Sequence, residues 1–319
     1  MTRFTRLGTA FAALALAACV DTQAPDNTPT APTASKPRLP VMETMQVTAA
    51  AANGEAFTIT LRFINTPTTA QRAFFETAAA KWQGIIVGDV PDTEGTIPAR
   101  SCGNSFKTPT FSGLIDDVLI DVLLQPIDGP GAVLGAAGPC LVRNADLLTV
   151  YGLMFFDTAD LATLAQFGIF DEVVVHEMGH VLGVGTLWNI GTRQLRVGSL
   201  ADPRFIGPNG VAGYLDVGGR GTSIPVEEDG GPGTRLSHWD EETFDEELMT
   251  GFISLQGDSP LSVMTIGSMQ DLGYATNPAV ADRYQVSGRQ ERIASDEPAA
   301  AQFDIGRREK LIQPLGVIE

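Results

Sequence analysis

The stretch Val173-Val174-Val175-His176-Glu177-Met178-Gly179-His180-Val181-Leu182-Gly183 decides how this chain is read. On a helix, side chains four residues apart stand one above the other, so His176 and His180 present both imidazoles to a single point. A metal ion at that point would be held by both. Glu177 lies beside them, placed to take a proton from a metal-bound water without ligating the metal itself. Val174, Val175, Met178, Val181 and Leu182 make the rest of the helix apolar, the pattern of a buried helix. Two histidines left unpaired in a core would be costly, and a shared metal removes that cost.

Two histidines do not complete a hydrolytic site. Zinc in a hydrolase takes three protein ligands and leaves the fourth position for water. The sequence holds three histidines, and the third is His238, in Arg235-Leu236-Ser237-His238-Trp239-Asp240-Glu241. A glutamate third ligand should sit on a following helix, yet residues 181–226 contain no glutamate. Asp202 and Asp216 remain alternatives, without supporting context. His238 is the better third ligand.

Working outward, Phe57, Ile59, Leu61 and Phe63 alternate with Thr58, Thr60 and Arg62, a strand with one apolar face. Thr66-Pro67-Thr68 supplies cap residues for a helix over 69–83, with Phe74, Ala78 and Trp82 on one face. A second strand is expected at 115–124, completing a βαβ unit. Asp116, Asp117 and Asp121 could ligate calcium there, although acidic residues on a strand are ordinarily just solvated. A third strand at 147–156 precedes a short helix near 159–167. That third strand is a candidate sheet edge, able to hold a substrate extended by backbone pairing.

His176-Glu177-Met178-Gly179-His180-Val181-Leu182-Gly183 resembles most of the metzincin signature HExxHxxGxxH, with Thr186 where the usual third histidine falls. That departure resembles the leishmanolysin-like proteases, in which an insertion follows the glycine and the third histidine comes much later. Here residues 184–237 intervene before His238, and Glu247-Leu248-Met249-Thr250-Gly251 resembles that family's Met-turn segment. The resemblance implies an α+β, metzincin-like zincin fold. An N-terminal mixed sheet would carry the active-site helix, followed by a smaller, irregular and helical C-terminal subdomain. It implies zinc held by His176, His180 and His238, Glu177 as general base and Met249 as the Met-turn residue. Met264 is a rival for that turn, but it sits in a helical pattern with Leu261, Ser268 and Leu272. The implied activity is zinc-dependent endopeptidase action on protein or peptide substrate, through Glu-assisted attack of zinc-bound water. Two other functions remain open: a surface lipoprotein using the zinc scaffold for adhesion, and a non-peptide zinc amidohydrolase. Glu177 speaks against the first, because a structural zinc site needs no base.

The rest of the chain says where such a site would work. With 21 Lys+Arg against 38 Asp+Glu the net charge is −17, which argues against a phosphate-backbone partner. No nucleic acid is expected. Arg3, Arg6 and an apolar run to Leu16-Ala17-Ala18-Cys19 resemble a bacterial lipoprotein signal. Residues 1–18 would be removed and Cys19 lipidated, anchoring an exported protein to the outer membrane or cell surface rather than the inner membrane. Residues 19–45, rich in Pro, Thr and Ala, read as a tether. Cys102 and Cys140 then remain, and in an oxidising compartment two leftover cysteines pair. The expected organisation is a catalytic subdomain at 46–186 and a second subdomain at 187–285. The latter holds a glycine- and proline-rich insertion at 187–237, read as an ordered lid or a long loop. A loosely attached polar tail at 286–319 would follow.

Overall fold

The computed structural model describes residues 42–48, 56–256, 259–286 and 301–319. The expected signal peptide, Cys19 and most of the tether lie outside these residues. The end of the tether does not read as expected: β1 (Glu43–Thr48) is a strand antiparallel to β2 (Thr58–Phe63). Helix α1 (Thr69–Ile85) follows, started by a reciprocal capping box in which Thr68 accepts from the Gln71 N–H and Gln71 accepts from the Thr68 N–H. A hairpin of β3 (Thr93–Ile97) and β4 (Phe111–Ile115) then leads into β5 (Val118–Gln125). The single strand expected at 115–124 is therefore broken at Asp116-Asp117. Asp117 takes a left-handed φ of 62°, and its carboxylate accepts the Thr58 and Val90 backbone N–H groups at 2.6 Å each. Next come β6 (Gly135–Arg143), β7 (Thr149–Asp157), α2 (Thr158–Phe167) and α3 (Phe170–Leu182).

Beyond α3 regular structure shortens. The insertion forms β8 (Asn189–Ile190), β9 (Arg193–Gln194), β10 (Arg196–Ser199), β11 (Asp202–Phe205), α4 (Pro208–Asp216) and β12 (Ile224–Pro225). Then follow α5 (Glu241–Phe244), β13 (Phe252–Ser254), α6 (Val263–Leu272), β14 (Gln302–Asp304), β15 (Glu309–Leu311) and β16 (Gly316–Ile318). The tail expected to be loosely attached is not loose over 302–318. β14 pairs with β13, and both β15 and β16 pair parallel to β6. Its apolar positions explain this, since Phe303, Ile305 and Ile312 are buried.

The main sheet of the described residues runs β1-β2-β5-β7-β6-β15, with β16 also on β6. β2, β5 and β7 are parallel neighbours, and β6 turns antiparallel to β7. The expected βαβ unit is present as β2-α1-β5. The expected edge strand is not an edge: β7 lies inside the sheet, buried along its whole length, and β6 lies outside it. Both sheet faces are covered. Val118, Ile120, Val122 and Leu124 face the layer holding α1 and α3, and Leu119 and Leu123 face a second core with Cys102 and Cys140. Those two cysteines form a disulfide, as expected, tying the 98–108 loop to β6.

Candidate metal centre

Helix α3 is buried along nearly its whole length, so the carbonyls at its C-terminal end need partners that water cannot supply. Side chains from around it provide them. Thr149 Oγ1 donates to Val181 O at 2.7 Å and Tyr274 OH to Leu182 O at 3.1 Å, while Trp82 Nε1 donates to the mid-helix Val175 O at 2.9 Å. Thr186, where the last histidine of the HExxHxxGxxH pattern would fall, donates its hydroxyl to His180 O at 2.6 Å. Gly179 lies on the helix face between Trp82 and Met249. A Cβ there would meet Trp82 Cζ2 at 2.8 Å and Met249 Sδ at 3.0 Å, so nothing larger than hydrogen fits.

His238 reaches the same place from the far side of the insertion. Its loop crosses the end of α3 so closely that a Cβ on Gly185 would sit 1.9 Å from Ser237 O. Gly185 also has a φ of 73°, a second reason for glycine. Glu227 N donates to His238 O and Trp239 N to Met249 O, both at 3.0 Å, which ties the insertion, the third histidine and the methionine together. Trp239 packs against Trp188, Phe205 and Phe244, so the apolar positions of the insertion form a small core around it.

The three imidazoles converge. Their Nε2 atoms are 2.9 Å (His176–His180), 3.0 Å (His180–His238) and 3.1 Å (His176–His238) apart. Each Nδ1 has a backbone carbonyl to donate to: Leu248 O at 2.7 Å, Val184 O at 2.9 Å and Thr234 O at 2.8 Å. Those carbonyls fix the tautomer and leave three Nε2 lone pairs facing one another. Facing lone pairs repel, and a cation among them turns repulsion into coordination. A tetrahedral zinc with bonds of ~2.0–2.1 Å separates its ligand atoms by roughly 3.3 Å, close to what is seen. Burial, then the neighbouring His238 and His176, hold His180 well below its ordinary value, whereas His238, against the lowering effect of burial, is raised by the charge of Glu309.

Glu177 is fully buried, and neither of its carboxylate oxygens has a hydrogen-bond donor. Burial first, and the charge of Glu309 second, push it well above the ordinary carboxylate range. Met249 lies in a non-helical turn beneath the histidines, held by a residue whose role the sequence reading missed. Glu247 is buried with a carboxylate that accepts from Met249 N at 2.7 Å, Ser262 N at 3.1 Å, Ser262 Oγ at 2.6 Å and Thr265 Oγ1 at 2.5 Å. Met264 lies inside α6, as its spacing implies.

Other expected ligands do not join. Asp202 pairs with Arg204 at the surface, and Asp216 is exposed at the end of α4. Calcium at Asp116, Asp117 and Asp121 is not supported. Asp121 receives Arg62 at 2.6 and 2.8 Å and Tyr151 OH at 2.7 Å, while Asp117 is committed to backbone. The reason is register: Arg62 stands directly opposite Asp121 across β2 and β5. One acidic residue that sequence reasoning passed over does join, Glu309, buried against all three histidines. In Arg307-Arg308-Glu309-Lys310 it looks like one more solvated charge; only the flanking Ile305 and Leu311-Ile312 hint at burial.

A model of the leishmanolysin peptidases matches residues 88–284, a span that includes all three histidines, Glu177 and Met249. The chain belongs to the leishmanolysin family. A leishmanolysin homolog from Crithidia fasciculata is 29% identical over 188 residues, which cover 54% of this chain and 27% of that protein. The chain thus spans about a quarter of the length of that curated relative. The leishmanolysin family is zinc-dependent, and the histidine cluster fits that metal in donor type, tautomer and spacing. Glu309 lies beyond the matched span.

Proposed function

We propose that this chain is a zinc-dependent endopeptidase with a metzincin-like arrangement. In this reading His176, His180 and His238 hold the metal, Glu177 is the general base and Met249 is the Met-turn residue. Residues 46–186 are the catalytic subdomain, and 187–285 carry the insertion and third ligand. The observation that carries the reading is the set of three converging lone pairs beside a buried carboxylate that no protein donor satisfies. Zinc, when bound, supplies the positive charge that acidifies water and stabilises a developing oxyanion. Glu177 Oε takes the proton of the attacking water and passes it to the leaving amine nitrogen. The carbonyls of Leu248, Val184 and Thr234 keep each imidazole oriented while charge develops. The peptide to be cut is held extended, by backbone pairing at a sheet edge.

The test is digestion of a peptide library by the zinc-loaded chain. Cleavage should stop with a chelator and return with added zinc. Glu177→Ala should retain zinc, since all three histidines survive, yet lose at least about a hundredfold in turnover. Full cleavage by Glu177→Ala would sink the mechanism.

Export and lipid anchoring at Cys19 belong to the same proposal, resting on the Leu16-Ala17-Ala18-Cys19 run. No helix among the described residues is long and apolar enough to cross a membrane. The chain should partition into detergent, and Cys19→Ser should abolish that. Equal partitioning of both would remove the anchor from the proposal.

A further inference from the structure

Glu309 is 4% exposed, and its carboxylate points into the histidine cluster. Oε1 lies 2.9 Å from His238 Nε2, and Oε2 lies 3.5 Å from His176 Nε2 and 3.8 Å from His180 Nε2. Neither oxygen makes a hydrogen bond. The basic residues beside it do not neutralise it: Arg307 pairs with Asp304, Arg308 lies over the Phe303 ring, and Lys310 is exposed. A buried carboxylate without donors costs several kcal/mol unless a cation faces it. The three histidines and Glu309 offer four ligand atoms within 4.8 Å of one another.

The chain around Glu309 lies where an extended peptide would. β6 is the outer strand of the main sheet beside the metal helix, and its free edge is taken by the chain's own C-terminal segment. Glu309, Lys310 and Leu311 stand opposite Gly135, Ala136 and Ala137, and Gly316–Ile318 opposite Leu141, Val142 and Arg143. Leu134 N donates to Arg308 O at 2.6 Å, Ile312 N to Ala137 O at 2.8 Å and Leu315 N to Cys140 O at 2.9 Å. The turn before Glu309 is pinned beneath the metal cluster, with Ile305 N and Gly306 N both donating to Gly251 O.

We propose that Glu309 is a fourth protein ligand of the metal and that residues 302–318 form a strap occupying the substrate's edge, so that the folded chain cleaves at only a low basal rate until the strap is released. The inference rests on the peptidase reading and adds its regulation. A hydrolytic zinc must keep one position open, and Glu309 fills it. The strap blocks twice, at the metal through one carboxylate and at the sheet through backbone pairing. As a tethered segment it acts at an effective concentration on the order of millimolar, against which a micromolar substrate competes poorly. Activation is then release of the strap from β6.

The test uses the full chain loaded with cobalt(II) in place of zinc, with acetohydroxamate as a small probe of an open coordination position. The natural chain's visible spectrum should not respond at probe concentrations that change that of Glu309→Gln, an isosteric variant without the charge. Glu309→Gln should also lose metal to a competing chelator at least about tenfold more readily, having one ligand fewer. Its zinc form should nonetheless cleave peptides at least about tenfold faster than the natural chain. Metal retention falling while turnover rises is the signature, because damage to the fold would lower both. Leu315→Pro removes one edge hydrogen bond from an exposed residue and leaves Glu309 in place; it should raise turnover to a smaller degree. Equal probe responses in the natural chain and Glu309→Gln would overturn the ligand assignment. A joint fall of metal retention and cleavage would overturn latency. If the probe response differs as expected and no form cleaves any peptide, the ligand assignment stands and the peptidase reading falls.

Discussion

The two sides of the metal centre are built by different means. Between residues 58 and 182 the chain uses repetition: apolar residues at every second position in β2, a nearly continuous apolar run buried on both faces in β5, and a helix-long apolar surface in α3. Position there follows from geometry, since two histidines four residues apart on a straight helix can hardly miss a common ion. Among the described residues from 187 onward the strands pair over two to four residues, and the longest helix has ten. His238, Met249 and Glu309 are placed instead by single long-range contacts: Trp239 in its aromatic pocket, the Glu247 carboxylate, and the Gly251 carbonyl under the 305–306 turn. Repetition distributes the task over many residues; single contacts concentrate it in a few.

That contrast can be broken at chosen points. The largest effect is expected from His238→Ala, which leaves the repetitive side whole and removes the only ligand the irregular side gives to the histidine trio. Zinc retention should fall by more than about a hundredfold, since even partners outside the first ligand shell cost 10–100-fold. Helix content should stay unchanged by circular dichroism. Wild-type zinc retention would mean that the third ligand lies elsewhere.

Next comes Glu247→Ala, expected to destabilise by about 3–5 kcal/mol because four buried donors lose one acceptor. Denaturant titration would show it, with loss of zinc at lower denaturant than loss of helix. A change below about 1 kcal/mol would mean that the turn at Met249 holds itself, and the contrast between the sides would weaken.

Reduction of Cys102–Cys140 acts on the repetitive side, on the sheet face away from α1 and α3. The pair encloses a separation of 38 residues, and in the chain-entropy model the loss is about 4 kcal/mol. Melting temperature should fall with zinc retention intact. Loss of zinc at the same time would show that β6 communicates with the metal more directly than its neighbours suggest.

The smallest effect belongs to Thr68→Ala, which removes half of the capping box and should cost about 1 kcal/mol in thermal unfolding. Turnover should not change, because repetition elsewhere along α1 keeps Trp82 in place.

The same division governs what could be read beforehand. The helix at 170–182, its two histidines and the β2-α1-β5 unit were legible because periodicity is a local signal. His238 was legible through the scarcity of histidine rather than through any local pattern. The interior place of β7 was not, because a strand's own residues do not name its neighbours. Nor was the fate of Asp121, whose partner Arg62 faces it only once the register of β2 and β5 is known. Glu309 was hidden most fully: a charge run reads as solvated, and its meaning comes from residues joined to it only by folding.

Gly179 carries a last consequence. In HExxH the third and fourth letters are written as free, and the fourth is Gly179. In this chain that letter is spelled from outside the motif, by an indole from α1 on one side and the Met249 thioether on the other. Substitutions at 82, 179 and 249 should therefore behave as one composite site, non-additive with one another though far apart along the chain. A laboratory search that randomises position 179 alone will recover glycine; one that randomises all three together will find new trios.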